Sequence, residues 1–92
     1  MRYLLITFVR KPGGQIDELV TVSKRVKPAD LQTCNVIIDY SAKKVEKCVI
    51  EGKVVDTDFE KMDAYYKQVY PNLITQLEKE ATITKNEKPN AV

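Results

Sequence analysis

The stretch YLLITFVRKPGGQIDELVTVSKRV, residues 3–26, decides the fold because it predicts a β-hairpin. Residues 3–10 are apolar at both alternating sets of positions, which is typical of a strand covered on both faces or lying inside a sheet. Residues 16–26 alternate between apolar and polar, which is typical of a half-buried strand. The intervening KPGGQ, residues 11–15, predicts a turn because proline presets φ and glycine accepts positive φ.

The chain that follows the hairpin predicts a short helical turn and two or three further strands. Residues 27–33 favour a short helix or 3₁₀ turn, with Pro28 at its first position and Leu31 pointing inward. Strands are predicted at residues 34–40 and at about 45–50. Glu51-Gly52 then predicts a tight turn into a short strand at residues 54–55.

Cross-strand pairing predicts a register for the third and fourth strands. If Asp39 lies opposite Lys47, opposite charges meet and the apolar residues of the two strands also meet. A shift by one residue places Asp39 opposite Glu46, which is less favourable. The predicted apolar pairs are therefore Ile37 with Val49, Val36 with Ile50, and Ile38 with Cys48.

A helix is predicted from Thr57 onward. Thr57 and Glu60 have the spacing of a capping box, and apolar residues then repeat every three or four positions. Pro71 interrupts this repeat, so we expect a kink or two abutting helices. Residues 82–92 lack periodicity and predict a flexible tail, which leaves residues 1–81 as one domain.

These elements predict an α+β fold. An antiparallel sheet of four to five strands, in the order ββ, short turn or helix, ββ(β), α, is packed on one face by the C-terminal helix. Such a fold hosts many functions and assigns none. The predicted core residues are Leu5, Val20, Val22, Ile38, Cys48, Ile50, Phe59, Met62, Tyr66, Val69, Leu73 and Leu77.

Composition and motifs argue against an enzyme. The 92 residues contain no histidine, which is the commonest general base and metal ligand. The glycines near residue 13 lack the lysine and serine or threonine of a phosphate-binding loop. In the predicted register Cys34 and Cys48 share a face about 13 Å apart, too far for a disulfide. We therefore predict no catalytic residue, cofactor or metal, and interpret both cysteines as buried thiols.

Three tyrosines on the predicted helix are the candidate protein-contact residues: Tyr65, Tyr66 and Tyr70. Tyr66 falls within the apolar stripe, and the other two widen it on either side, so we expect at least one of these two to be partly exposed. Tyrosine is enriched at interfaces because it combines a large apolar area with a polar tip. The alternative is that all three lie at the edge of the core of a small protein.

Basic residues at the ends of the hairpin offer an alternative function, a nucleic-acid-binding module. Their positive charge, near Tyr3 and Phe8, resembles what single-strand binding requires. Charged residues at hairpin ends also serve solubility and edge protection. Net charge is only +2 and by itself indicates no partner. The candidate residues are Arg10, Lys11, Lys24, Arg25 and Lys27.

Three segments resemble small uncharacterised accessory proteins of tailed bacteriophages: Met1-Arg2-Tyr3-Leu4-Leu5, residues 30–39, and Ala64-Tyr65-Tyr66. The resemblance spans most of residues 1–80 and carries no functional residue. It implies an accessory protein directed at host or viral machinery. The apolar run at the N-terminus is too short to cross a bilayer, so we expect no membrane association and a cytoplasmic location, in the host cell if the chain is phage-encoded.

Overall fold

The computed structural model describes the backbone of residues 1–90 and the side chains of residues 1–80. It confirms the α+β fold with a five-stranded antiparallel sheet. The elements in chain order are β1 (Tyr3–Arg10), β2 (Ile16–Ser23), α1 (Pro28–Thr33), β3 (Val36–Asp39), β4 (Lys44–Ile50), β5 (Lys53–Val54), α2 (Phe59–Val69) and α3 (Pro71–Asn90).

The sheet has the strand order β2-β1-β3-β4-β5. The predicted hairpin is confirmed, with β1 and β2 paired from Tyr3 opposite Ser23 to Arg10 opposite Ile16. Both faces of β1 are apolar because both are covered: Leu4 and Ile6 face one buried cluster, and Leu5 faces another on the opposite side of the sheet. The second strand ends at Ser23, three residues earlier than predicted.

The connection from β2 to β3 passes across β1, because β1 lies between these two strands. The predicted short helix is confirmed as α1, with Pro28 at its start. Leu5 and Ile37 form a small buried cluster with Cys34, and Val26 packs against it. The inward position predicted for Leu31 is wrong: its side chain is 57% exposed, because residues flanking α1 fill this small cluster.

The predicted register of β3 and β4 is wrong. Ile37 lies opposite Lys47, and Asp39 lies opposite Lys44, with an irregularity after Ile37. Arg2 on the neighbouring chain segment binds Asp39 through two hydrogen bonds of 2.9 and 2.8 Å. The predicted register considered only pairs between the third and fourth strands, so it missed Arg2 as the partner of Asp39. The other pairs are Val36 with Cys48 and Ile38 with Val45.

The tight turn after β4 is confirmed. Glu51 and Gly52 both have positive φ, 52° and 77°, and join Ile50 to Lys53 in a two-residue hairpin loop. Two consecutive positive φ values define the type I′ turn that suits the twist of a hairpin. Glycine accepts this conformation without strain.

The helical region differs from prediction at its start and agrees at its break. Asp58, not Thr57, caps α2, since its carboxylate accepts a 2.9 Å hydrogen bond from the Lys61 amide. The helix ends at Val69 and a new one begins at Pro71, which confirms two abutting helices. Proline suits the first position of a helix because no intrahelical partner exists there for an N–H group.

The main core lies between α2, α3 and one face of the sheet. The prediction placed Leu5 there, but Leu4 and Ile6 face this core and Leu5 belongs to the opposite cluster. Ile50 and Val69, also predicted as core, are each 42% exposed. The buried residues of the main core are Leu4, Ile6, Val36, Ile38, Tyr40, Cys48, Tyr66, Ile74 and Leu77.

The chain continues as helix beyond the predicted end of regular structure at residue 81, since α3 extends to Asn90. The predicted flexibility of residues 82–92 stays a prediction, and residues 91–92 lie outside the described residues. Over the part of the chain that the structure describes, no helix is long and apolar enough to cross a membrane.

Candidate protein-contact surface

A polar contact inside the core fixes the position of α2. The hydroxyl of Tyr40 donates a 2.9 Å hydrogen bond to Asp63, and the ring of Tyr40 meets Phe59 edge to face with centroids 4.9 Å apart. Lys67 pairs with Asp63 at 2.9 Å and with Glu78 of α3 at 3.2 Å. Burial and the nearby Asp63 carboxylate both raise the pKa of Tyr40. The two helices are thus held to the sheet and to each other.

The three candidate tyrosines lie at three different depths. Tyr66 is buried, with 3% of its surface exposed, and burial raises the pKa of its phenol. Tyr65 is 54% exposed, and Tyr70 is intermediate. The ring of Tyr66 contacts Tyr65 edge to face at 4.9 Å and stacks with Tyr70 at 6.2 Å. The expectation that a tyrosine flanking Tyr66 is partly exposed is confirmed at Tyr65.

Tyr70 connects the end of α2 to the sheet. Its hydroxyl donates a 2.5 Å hydrogen bond to the carboxylate of Glu18 on β2. This hydrogen bond, together with burial, raises the pKa of Tyr70 to about 12. Tyr70 therefore has a structural role, which its position in the sequence did not reveal because Glu18 is 52 residues away.

Tyr65 and Val69 form the exposed apolar part of α2, and we call these two residues the Tyr65 surface. Residues four apart lie on the same side of a helix, and these two are 54% and 42% exposed. Of the three candidate tyrosines, Tyr65 alone is exposed. Val69 is also exposed, although the apolar stripe had assigned it to the core.

A shallow depression of about 270 Å³ lies at the end of the sheet that contains the β1–β2 turn. Its apolar wall consists of Phe8, Ile16 and Ile50, the last two of them exposed. The sequence alternation places these side chains on the core face but cannot show where the helical layer stops. Arg10, Asn35, Glu51 and Gly52 complete the lining.

The five basic candidate residues are not brought together. Arg10 and Lys11 lie at one end of the hairpin, while Lys24, Arg25 and Lys27 follow the other end of β2. Eight paired residues separate the two groups, roughly 23 Å at the usual rise of a strand. Lys11 also forms an ion pair with Asp17 at 2.8 Å. The structure therefore separates the five residues into two groups at opposite ends of β2.

The two cysteines are free and buried, as predicted, but they do not share a face. Cys34 belongs to the small cluster beside Leu5, whereas Cys48 belongs to the main core on the other face of the sheet. The prediction failed because β3 begins at Val36, so Cys34 lies at the end of α1, where the alternation of a strand does not apply. Burial raises the pKa of the Cys48 thiol. Among the described side chains, no three cysteine or carboxylate groups are placed to hold a metal ion.

In comparisons with known proteins, no family model, curated protein or solved structure matches the chain. The candidate surface is therefore interpreted from its own residues.

Proposed function

We propose that this chain is a small non-enzymatic binding protein that acts through protein–protein contacts, and that its partner binds the Tyr65 surface. The observation that carries the proposal is that Tyr65 is 54% exposed although its ring rests against the buried ring of Tyr66. The buried Tyr66 ring therefore holds a large, solvent-exposed aromatic side chain in place.

The energetics favour binding at such a position. A tyrosine buries 150–250 Å² when fully covered, so covering the exposed half removes roughly 100 Å² from water. At about 25 cal/mol per Å² this contributes roughly 2–3 kcal/mol, with a further contribution from Val69. Contact with Tyr66 restricts the Tyr65 ring, so less conformational entropy is lost on binding.

The charges around α2 indicate the chemistry of the partner. Asp56, Asp58 and Glu60 are exposed at the N-terminal end of α2, whereas the centre of the surface is apolar. A complementary protein has an apolar contact residue facing Tyr65 and basic residues toward the start of the helix. In line with the phage resemblance, we propose that this partner belongs to host or viral machinery in the host cytoplasm.

The test is capture of proteins from a bacterial lysate on the immobilised chain. Tyr65→Ala should reduce capture of the partner at least about tenfold, as expected for a loss of about 1.4 kcal/mol or more. Leu31→Ala is the matched control because Leu31 is exposed to a similar extent, 57%, on the other face of the sheet. If Tyr65→Ala and Leu31→Ala retain the same proteins, the Tyr65 surface is not the contact.

The alternative, a nucleic-acid-binding module, has less support from the geometry because its basic residues form two separate groups. It predicts retention on a heparin column with a steep dependence on salt. It further predicts that neutralising Lys24, Arg25 and Lys27 abolishes retention. Elution at low salt argues against this alternative and leaves the protein-contact proposal intact.

A further inference from the structure

β2 is a long strand at the edge of the sheet with a single strand neighbour, β1, among the described residues. Proteins usually protect such an edge with a proline, a charged side chain, a bulge or a very short strand. β2 has eight residues, IDELVTVS; its two charged residues, Asp17 and Glu18, lie at one end, the rest of the strand has no proline or charge, and its pairing with β1 is regular throughout. The opposite edge, β5, has only two residues.

The hydrogen-bond pattern determines which backbone groups of β2 face outward. Where the β1–β2 ladder meets the turn, the amide of Lys11 donates to the carbonyl of Gln15 at 2.7 Å, which makes these two residues a hydrogen-bonded pair. Such pairs alternate along an antiparallel ladder. The odd-numbered residues of β2 therefore bond to β1, and the even-numbered ones, including Val20 and Val22, direct their N–H and C=O groups outward.

We propose that this edge pairs with β2 of a second copy of the chain to form a two-fold symmetric dimer with a continuous antiparallel sheet. Thr21 lies on the two-fold axis, and Val20 of one copy lies opposite Val22 of the other. Their outward groups then form four main-chain hydrogen bonds across the edge. Just beyond the end of β2, Lys24 and Arg25 of one copy lie near Glu18 and Asp17 of the other.

Charge selects this register from its neighbours. Hydrogen-bonded pairing requires even-numbered residues opposite even-numbered residues, since only these direct their groups outward. The register centred on Val20 places Ile16 opposite Lys24. The register centred on Leu19 brings the two Glu18 carboxylates close to each other diagonally. The register centred on Val22 brings Glu18 near Val26. Of the four, the register centred on Thr21 is the one that brings both acids of β2 near cations.

The local structure keeps these charges near the edge. The hydroxyl of Ser23 donates to the carbonyl of Arg25 at 2.7 Å and accepts from its amide at 3.3 Å, which fixes the backbone just after β2. Asp17 is about half exposed even while it pairs with Lys11. A carboxylate accepts several hydrogen bonds, so Arg25 of the second copy adds to the existing contacts.

The dimer does not depend on the proposed function, because the Tyr65 surface lies on α2 and the dimer edge lies on β2. Tyr65→Ala is expected to leave the dimer unchanged. Replacing Arg25 is expected to leave binding at the Tyr65 surface unchanged. The failure of one proposal can therefore be distinguished from the failure of the other.

The experiment is analytical ultracentrifugation of the full chain over a wide range of concentration at low salt, where surface charges are least screened. The wild-type chain should show a monomer–dimer equilibrium. Arg25→Asp and Asp17→Arg should each weaken it about tenfold or more, because like charges then lie opposite each other. The double variant, which exchanges the two charges, should restore the wild-type constant. Lys79→Asp, on the exposed side of α3, changes the charge equally and should have no effect.

Amide hydrogen exchange on the unaltered chain gives a second measurement that requires no variant. The amides of Val20 and Val22 should exchange more slowly at high than at low protein concentration, whereas those of Leu19 and Thr21, bonded to β1, should not. A chain that stays monomeric at every concentration overturns the proposal. A dimer that is insensitive to both single charge reversals, or is not restored by the double variant, overturns the register.

Discussion

The hydroxyl group of Tyr40 donates a 2.9 Å hydrogen bond to the carboxylate of Asp63, which joins the end of β3 to the middle of α2. Both residues are buried, and Asp63 also pairs with Lys67. A buried carboxylate has lost its hydration, which costs free energy unless other groups pair with it or donate hydrogen bonds to it. This contact is a polar anchor within an otherwise apolar interface between the sheet and the helices.

Tyr40→Phe should destabilise the fold by about 1.5–3 kcal/mol, the usual range for a hydrogen bond to a charged group. The ring and its contact with Phe59 remain, so the loss reports the hydroxyl. Chemical denaturation measures the free energy of unfolding. Tyr65→Phe, which removes a hydroxyl from an exposed ring, is the control and should change it by less than about 0.5 kcal/mol. If both substitutions change the free energy of unfolding equally, the hydrogen bond from Tyr40 to Asp63 does not stabilise the fold.

A second prediction compares the stability contributions of two aliphatic residues in the helices, one buried and one exposed. Ile74 of α3 is fully buried in the main core, whereas Val69 of α2 is 42% exposed. Ile74→Ala should cost about 2–5 kcal/mol because it removes buried methyl groups and leaves a cavity. Val69→Ala should cost less than about 1 kcal/mol. Thermal and chemical denaturation of the two variants measure the difference, and a reversed order would show that the helices pack on the sheet in another orientation.

The same pair of residues shows where sequence reasoning failed. A single helical repeat carried through Pro71 assigns Val69 to the core and omits Ile74. The break at Tyr70 changes the direction of the chain, so α3 presents a different set of positions from those that continue the repeat of α2. The position of the break was predictable from the proline. The angle between the helices was not, because it depends on how Ile74 and Leu77 of α3 pack into the core with residues distant in the sequence.

The sheet was predictable in its strands and turns but not in its pairing. Alternation and turn residues located β1, β2 and the loop at Glu51 and Gly52. Because β1 is apolar on both faces, the sequence could not show which face the helices cover. The partner of Asp39 was also hidden, since Arg2 is 37 residues away. For the candidate surface, the sequence predicted that Tyr65 or Tyr70 is partly exposed but could not say which, and it did not reveal the structural role of Tyr70.

The pairing of Arg2 with Asp39 predicts how stability depends on pH. The Arg2 guanidinium, followed by the amides of Ala42 and Ser41, holds the pKa of the Asp39 carboxyl below its usual value, against the opposing effect of burial. The folded state therefore binds fewer protons than the unfolded state between the two pKa values. The stabilisation is complete above the unfolded value of about 3.9 and is lost as the pH falls through the lower, folded value.

Asp39→Asn should therefore destabilise the fold by about 1–2 kcal/mol near pH 7, and this difference should shrink as the pH falls toward about 2. The effect is smaller than for a fully buried pair because Arg2 is 45% exposed. Asparagine still accepts hydrogen bonds from the two turn amides through Oδ1, but its amide nitrogen replaces the oxygen that accepts from Arg2 Nη2, so the substitution removes the ion pair and keeps the turn. Urea denaturation at a series of pH values measures it. Asp17→Asn, in the exposed pair with Lys11, is the control and should cost less than about 0.5 kcal/mol throughout. If the cost of Asp39→Asn is the same at pH values of about 7 and about 2, the ion pair is not the source of the stabilisation, because protonation of Asp39 would then change nothing.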